Sequence, residues 1–273
     1  MQKFNYHTHT YRCGHADIDY TEEEYIKDFI KMGFKKIAFT DHAPQKSGID
    51  KRQNMRMKYE ERKEYLQKIK ELKEKYKGQI EIQSGYEVEY LPGEEENLKE
   101  LKKETDKLIL GQHFIYDNNK NIKVFGFLEK EVFTDEELIR YAQYIEKAMD
   151  LNIPDIIAHP DYFMINSTRF GKIEEKISHI ICKASEKFNI PLEINLKNIF
   201  SEIRFENGDL KNIVYPCKEF WKIATQYNIR VVYGLDVHHR GQITLYPELV
   251  KLAEEILGEE IISKLNFIKA TNF

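Results

Sequence analysis

Cysteine is scarce in this chain of 273 residues, with three in all, Cys13, Cys182 and Cys217. They are far apart and odd in number, and no CxxC pair occurs, which sets aside a disulfide framework and a zinc knuckle. A reducing compartment, the cytoplasm, is the expected location. Long apolar runs are missing as well. Nothing approaches the roughly 18 consecutive apolar residues that cross a bilayer. Met1-Gln2-Lys3 leads into a polar strand rather than the apolar core of a secretion signal, so no membrane role is expected. Basic charge is not in excess: 42 Lys and Arg against 46 Asp and Glu leave a net charge of -4. That balance argues against broad attraction to nucleic acid and favours a small-molecule partner. No Gly/Ser/Pro-rich linker and no shift in composition divides the chain, so one domain over residues 1–273 is expected.

What is present is a globular composition, 41% hydrophobic and 32% charged, long enough to bury a large core. Short apolar strands alternate with amphipathic helices. Thr21 with Glu24 reads as a capping box opening a helix that carries Tyr25, Ile26, Phe29 and Ile30 on one stripe and stops at Gly33. Thr134 with Glu137 opens another. A charged helix from about Lys58 to Tyr76 has Tyr59, Leu66, Ile69 and Leu72 as its narrow apolar side. Asp117 to Asn121 reads as a polar turn, and Pro216 suits the first turn of a helix. Seven strands are predicted, at Phe4, Lys36, Ile80, Lys107, Asp155, Pro191 and Ile229. Strands separated by helices imply parallel pairing and right-handed crossovers. The expected fold class is α/β, a closed or nearly closed parallel barrel with functional residues at the C-terminal ends of its strands.

The histidines follow that geometry. His7, His9, His42, His113, His159 and His238 fall at or just beyond predicted strand ends, and His15 lies in the loop after the first strand. Only His179, inside a helix, and His239 depart from the pattern. Glu87 and Asp236 occupy equivalent strand-end positions. His7 and His9, at i and i+2 of a strand, face the same way. Taken singly, His113 or His159 reads as a hydrogen-bonded structural histidine, and Asp41-His42 as a turn. Glu89 and Asp161 read as supporting or solvent-facing groups. Taken together, clustered imidazoles and carboxylates call for cations, because buried unpaired carboxylates are costly. Mixed His/Asp/Glu ligation without cysteine suits zinc, manganese or iron. Nine donor groups exceed the needs of one ion, and two or three divalent ions sharing a bridging carboxylate is the economical reading.

With His7-Thr8-His9, Gly14-His15, Asp41-His42, Glu87, His113, His159 and Asp236-Val237-His238 in that order, the chain resembles the PHP (polymerase and histidinol phosphatase) family. The resemblance implies a distorted seven-stranded (β/α) barrel, TIM-barrel-like, around a trinuclear centre. One ion would be held by His7, His9, Glu87 and Asp236, a second by Glu87, His113 and His159, and a third by His15, His42 and His238. The Cys13-Gly14-His15 loop and the Leu192-Glu193-Ile194-Asn195 strand look most like the histidinol-phosphate phosphatases. Two segments depart from them: Gly234-Leu235-Asp236-Val237-His238 stands where a Gly-Ser-Asp-Ala-His pattern is usual, and the run from Asp161 to Arg169 differs.

The implied activity is metal-dependent hydrolysis of a small phosphate monoester, L-histidinol phosphate foremost, with a metal-bridging hydroxide attacking phosphorus. His238 or Asp41 is expected to assist proton transfer. Arg169 and Arg204, each expected in a loop after a barrel strand, would clamp phosphate oxygens. Two other readings stay open. One is a PHP phosphoesterase acting on a nucleotide, a sugar phosphate or a nucleic-acid end, and the other is a noncatalytic metal-binding module. Metal identity and oligomeric state are not legible.

Overall fold

A computed structural model describes residues 1–45, 55–126, 131–167 and 169–269. Local chemistry sets the helix boundaries. Helix α1 (Glu22–Lys31) opens on Thr21, whose side chain accepts from the Glu24 amide while Glu24 reaches back, and it buries Tyr25, Ile26 and Phe29. The same reciprocal cap at Thr134 and Glu137 starts α4 (Asp135–Asp150). Helix α2 (Arg62–Lys75) begins later than its charge pattern implied, after a single 3-10 turn at Tyr59–Glu61, and buries Tyr65, Ile69 and Leu72. Tyr65 takes the inward place expected of Leu66, which is only partly buried. The remaining helices are α3 (Glu95–Glu104), α5 (Lys172–Phe188), α6 (Lys197–Phe205), α7 (Lys218–Ala224), α8 (Tyr246–Leu257) and α9 (Glu259–Ile262). Pro216 lies ahead of α7, whose N-cap is Cys217, rather than inside its first turn.

The strands are β1 (Phe4–Asn5), β2 (Lys36–Phe39), β3 (Glu81–Val88), β4 (Lys107–Leu110), β5 (Phe114–Tyr116), β6 (Ile122–Val124), β7 (Ile156–Ile157), β8 (Leu192–Asn195), β9 (Arg230–Gly234) and β10 (Asn266–Phe267). All but β5 and β6 form one parallel sheet in the order β1-β2-β3-β4-β7-β8-β9-β10. The expectation of seven strands is thus corrected to eight. Strand β10 was too short to show a period, and it gains order by pairing Asn266 with Arg230 and Phe267 with Val231. Strands β5 and β6 make a separate antiparallel hairpin around the turn at Asp117, whose Oδ1 accepts from the amides of Asn119 and Asn121.

The sheet curls until β1 comes back against the continuation of β9. Past the last residues of β1 and β9, Thr8 and Val237 form a parallel bridge, with His9 N donating to Val237 O at 2.8 Å and Val237 N to His7 O at 3.2 Å. Inside the curl lies a small apolar plug of Phe4, Tyr6, Ala38, Ile109, Ile156, Ala158 and Val232. The larger core lies between the sheet and the surrounding helices. Parallel pairing makes every strand run the same way, so all C-terminal ends open at one mouth. Among the described residues, no helix is long and apolar enough to cross a membrane.

Candidate metal centre

The mouth collects the strand-end residues in sheet order. Beyond β1 come His7 and His9, beyond β2 Asp41 and His42, at the end of β3 Glu87 and Glu89, and after β4 His113. After β7 comes His159, at the end of β8 Glu193 and Asn195, and after β9 Asp236 and His238. All of these are buried, whereas His15, on the loop after β1, is exposed. His159 and Asp236 have left-handed backbones, with φ of 28° and 49°. A residue with a Cβ rarely holds that conformation, at a cost of about 1–3 kcal/mol. At both positions it turns a strand end inward.

Glu87 is the hub. Its Oε1 lies 2.9 Å from His159 Nε2, 3.6 Å from His7 Nε2 and 3.8 Å from His113 Nε2. Its Oε2 lies 2.9 Å from His42 Nδ1 and 3.3 Å from His9 Nε2. Burial pushes this carboxyl up, but His42, His7 and His113 outweigh it and hold the group well below the usual carboxylate range. Space for it comes from Gly111, where a Cβ would fall 1.8 Å from Glu87 Oε1. On the other side Asp236 Oδ1 lies 3.3 Å from the Nε2 atoms of both His7 and His9.

The outer face of each imidazole decides what its inner face offers. His7 Nδ1 meets Glu193 Oε1 at 2.9 Å, and His113 Nδ1 meets Glu89 Oε1 at 2.8 Å. His15 Nδ1 meets the carbonyl of Cys13 at 2.9 Å, and His238 Nδ1 that of Asp236 at 3.0 Å. Carboxylates and carbonyls only accept, so each Nδ1 carries a proton and Nε2 is the atom left to face the mouth as a donor to a cation. Burial of His7 is outweighed by the carboxylates around it, which raise it to about 10, so positive charge is favoured there. Those Nε2 atoms converge: His7 Nε2 lies 3.0 Å from His9 Nε2, and His15 Nε2 lies 2.8 Å from His238 Nε2. Asp236 Oδ1 is buried and accepts no hydrogen bond among the described residues. Electron-pair donors facing one another, beside an unsatisfied carboxylate oxygen, form a donor set suited to divalent cations.

The supporting layer was only partly legible. Glu193 also accepts from the His159 amide at 3.1 Å and from Asn195 Nδ2 at 2.9 Å, and Asn195 Nδ2 reaches Asp236 Oδ2 at 3.2 Å. A Cβ at Gly234 would fall 1.6 Å from Glu193 Oε1, so glycine leaves room for this carboxylate. Its signal was two polar residues, 193 and 195, on one face of a buried strand. Glu89 is not solvent-facing: Oε2 accepts from the His113 amide at 2.7 Å while Oε1 takes His113 Nδ1. Asp161 is also buried, receiving Cys217 N at 2.7 Å and Trp221 Nε1 at 3.1 Å, and burial raises its carboxyl to about 7.

Asp41, expected near the reacting groups, is fully buried with both oxygens on Thr10, accepting from its amide at 2.7 Å and its hydroxyl at 2.9 Å. Burial raises this carboxyl to about 6, with the His9 charge pulling the other way. That geometry makes Asp41 a clamp on the loop bearing the first histidines. Arg204 lies in the last turn of α6 rather than in a loop, and both it and Arg169 are exposed. Buried Arg56 reaches Glu89 Oε1 at 3.6 Å, and a further cation at the mouth, also unanticipated from sequence, is Lys197. It starts α6 from the loop after β8, with Nζ 3.2 Å from His238 Nε2 and 3.8 Å from Asp236 Oδ1. His179 bonds Tyr227 and His239 bonds Asp17, both outside the mouth.

A family model described as PHP domain matches residues 5–197 of the chain. The chain belongs to the PHP domain family. A histidinol-phosphatase from Bacillus subtilis is 26% identical over 270 residues, covering 89% of this chain and 96% of that one. Among solved structures, a candidate histidinol phosphatase from Listeria monocytogenes superposes with a TM-score of 0.72 at 22% identity, covering 89% of this chain and 99% of that one. A histidinol phosphate phosphatase from Lactococcus lactis, solved with zinc, L-histidinol and phosphate, gives 0.63 at 18% identity, covering 92% of this chain and 94% of that one. Asp236 and His238 lie beyond the matched PHP segment, and β9 brings them back to its first histidines.

Proposed function

We propose that this PHP protein is a metal-dependent phosphate monoester hydrolase that converts L-histidinol phosphate and water to L-histidinol and phosphate. The observation that carries the reading is the convergence of five imidazoles on Glu87, with the proton of His7 and of His113 held on the outer nitrogen by a carboxylate. The likeness to the Bacillus subtilis histidinol-phosphatase over most of both chains supports the substrate.

The donors would hold two to three divalent ions, zinc, manganese or iron. His7, His9, Glu87 and Asp236 would form one set, Glu87, His113 and His159 a second, and His15, His42 and His238 a third. Such ions supply Lewis acidity toward phosphate oxygens and a hydroxide nucleophile at neutral pH. The chain's own residues do the rest. Glu193 and Glu89 fix the tautomers of His7 and His113. Asp41 holds the His7–Thr10 segment through Thr10, so we assign it positioning rather than proton transfer. His238 keeps its Nδ1 proton on the Asp236 carbonyl and turns Nε2 toward the third set, so we assign it ligation rather than proton transfer. Lys197, with a side chain 30% exposed, is placed to pair with a phosphate oxygen, ahead of the exposed Arg169 and Arg204. A sheet that starts near residue 4 and closes through residue 237 supports one domain, the charge balance supports a small-molecule substrate, and three free cysteines support a reducing cytoplasm.

The test is phosphate release from L-histidinol phosphate against a panel of nucleotide and sugar phosphates, each with defined zinc, manganese or iron. Histidinol phosphate is expected to be hydrolysed with the highest kcat/KM. Replacement Lys197→Met is expected to lower that value about 10- to 100-fold, the worth of one charge-assisted hydrogen bond. Uniform turnover across the panel would remove the substrate assignment while leaving the phosphatase reading.

A further inference from the structure

Cysteine had no place in the ligand set expected for this centre, yet a thiol stands inside it. Cys13 is fully buried, and its sulfur belongs to two tight groups of potential donors, one with His15 and His238, the other with His9 and Asp41. Within each group the donor atoms all lie within 4.8 Å of one another. The local fold explains how a cysteine on a surface loop turns inward. Asp41 pins Thr10 by its amide and hydroxyl. Thr10 then caps the 3-10 turn Tyr11–Cys13, and Gly14 follows with a left-handed φ of 77°. That reversal returns the chain so that His15 Nδ1 can donate to the carbonyl of Cys13 itself. Thiol and imidazole of one short loop therefore reach the same spot.

A second observation at that spot points to a cation. The Nε2 atoms of His15 and His238 are 2.8 Å apart, and each imidazole already donates its Nδ1 proton to a backbone carbonyl. Two lone pairs at that distance repel unless a positive charge lies at them. In the structure the Lys197 ammonium lies at the His238 lone pair, with Nζ 3.2 Å from Nε2, so this end of the mouth already draws a cation that a metal ion would displace. On the far side His9 Nδ1 is buried and without a hydrogen-bond partner among the described residues.

We propose that Cys13 is a sulfur ligand of the ion assigned to His15, His42 and His238, giving that position three imidazoles and one thiolate. The assignment rests on the metal-dependent reading above and deepens it. Binding would release the thiol proton to solvent, since the thiolate is the ligating form. A thiolate shifts the preference of this position toward zinc and away from manganese, whereas the all-oxygen-and-nitrogen positions around Glu87 keep no such bias. The three positions would then load with different metals from a mixed supply.

Cobalt(II) substitution of the stripped full-length protein tests this without turnover. The expected result is a near-ultraviolet sulfur-to-cobalt charge-transfer band, together with the visible bands of nitrogen- and oxygen-bound cobalt. Cys13→Ser should lose the ultraviolet band and one cobalt per chain under a competing chelator. Cys182→Ser and Cys217→Ser, both at buried cysteines outside these donor groups, should keep both. The wild-type spectrum alone decides the matter should Cys13→Ser fold poorly. Visible bands without the ultraviolet band would overturn the sulfur ligand and leave the metal-dependent reading standing. No bound cobalt at all would overturn both.

Discussion

Glu193 shows how much of this centre is decided one atom away from the ions it would hold. Its carboxylate keeps the proton of His7 on Nδ1 at 2.9 Å, bonds the His159 amide, and occupies the room that Gly234 leaves. Glu193→Gln preserves the shape but halves the accepting capacity and removes the charge. Metal affinity is expected to fall about 10- to 100-fold, the usual loss when such an orienting partner goes. Chelator competition would measure it, and an unchanged affinity would demote Glu193 to packing. Residues of this kind were the least legible in the sequence. The histidines announced themselves through their strand-end spacing, and every one expected at the mouth is there. Glu193 and Lys197 carry no such spacing, because an acceptor behind a ligand needs only to be near it in space. Asp41 was legible as a buried acid beside a ligand but not as a clamp, since Thr10 is 31 positions away.

At the scale of elements, the helices were readable because their signals are local. Both capping boxes form as spaced, and the stripe Tyr25, Ile26, Phe29 is buried. Thr134 bonds Glu137 within the first turn of its own helix, and neither residue is among the donors at the mouth. Thr134→Ala is expected to cost about 1 kcal/mol, or about 2 °C in Tm for a chain of this size, with kcat unchanged. Calorimetry and the phosphate assay on one preparation would show both. The strands were less complete. β10 has two residues and the hairpin strands β5 and β6 three each, too few for alternation to register; β10 takes its order from distant β9, and β5 and β6 from each other across the turn at Asp117. Strand β3 runs on to Val88 because its pairing with β4 continues there, and it delivers Glu87 to the mouth.

For the molecule as a whole, the parallel sheet is a device for bringing far-apart residues to one face. The bridge between Thr8 and Val237 joins the continuations of β1 and β9 directly beside the donors. Ions bound by both should therefore strengthen that closure as well as serve chemistry. A cation that binds only the folded chain adds about 2.7 kcal/mol when its concentration is 100 times its Kd. Adding a strong chelator is expected to lower Tm by several degrees, and restoring zinc or manganese to reverse it. A Tm indifferent to both would mean that the donors are held by protein contacts alone.

The most direct measurement joins metal content to turnover in Glu87→Gln, since Glu87 touches His7 and His9 of one expected set, His113 and His159 of another and His42 of the third. Glutamine fills the same volume with a neutral amide that ligates divalent ions poorly. Elemental analysis is expected to show two or three ions per wild-type chain and at least one fewer in the variant, with phosphate release from L-histidinol phosphate falling by orders of magnitude. Wild-type turnover in a Glu87→Gln protein, or in wild-type protein stripped of metal, would contradict the metal-dependent account.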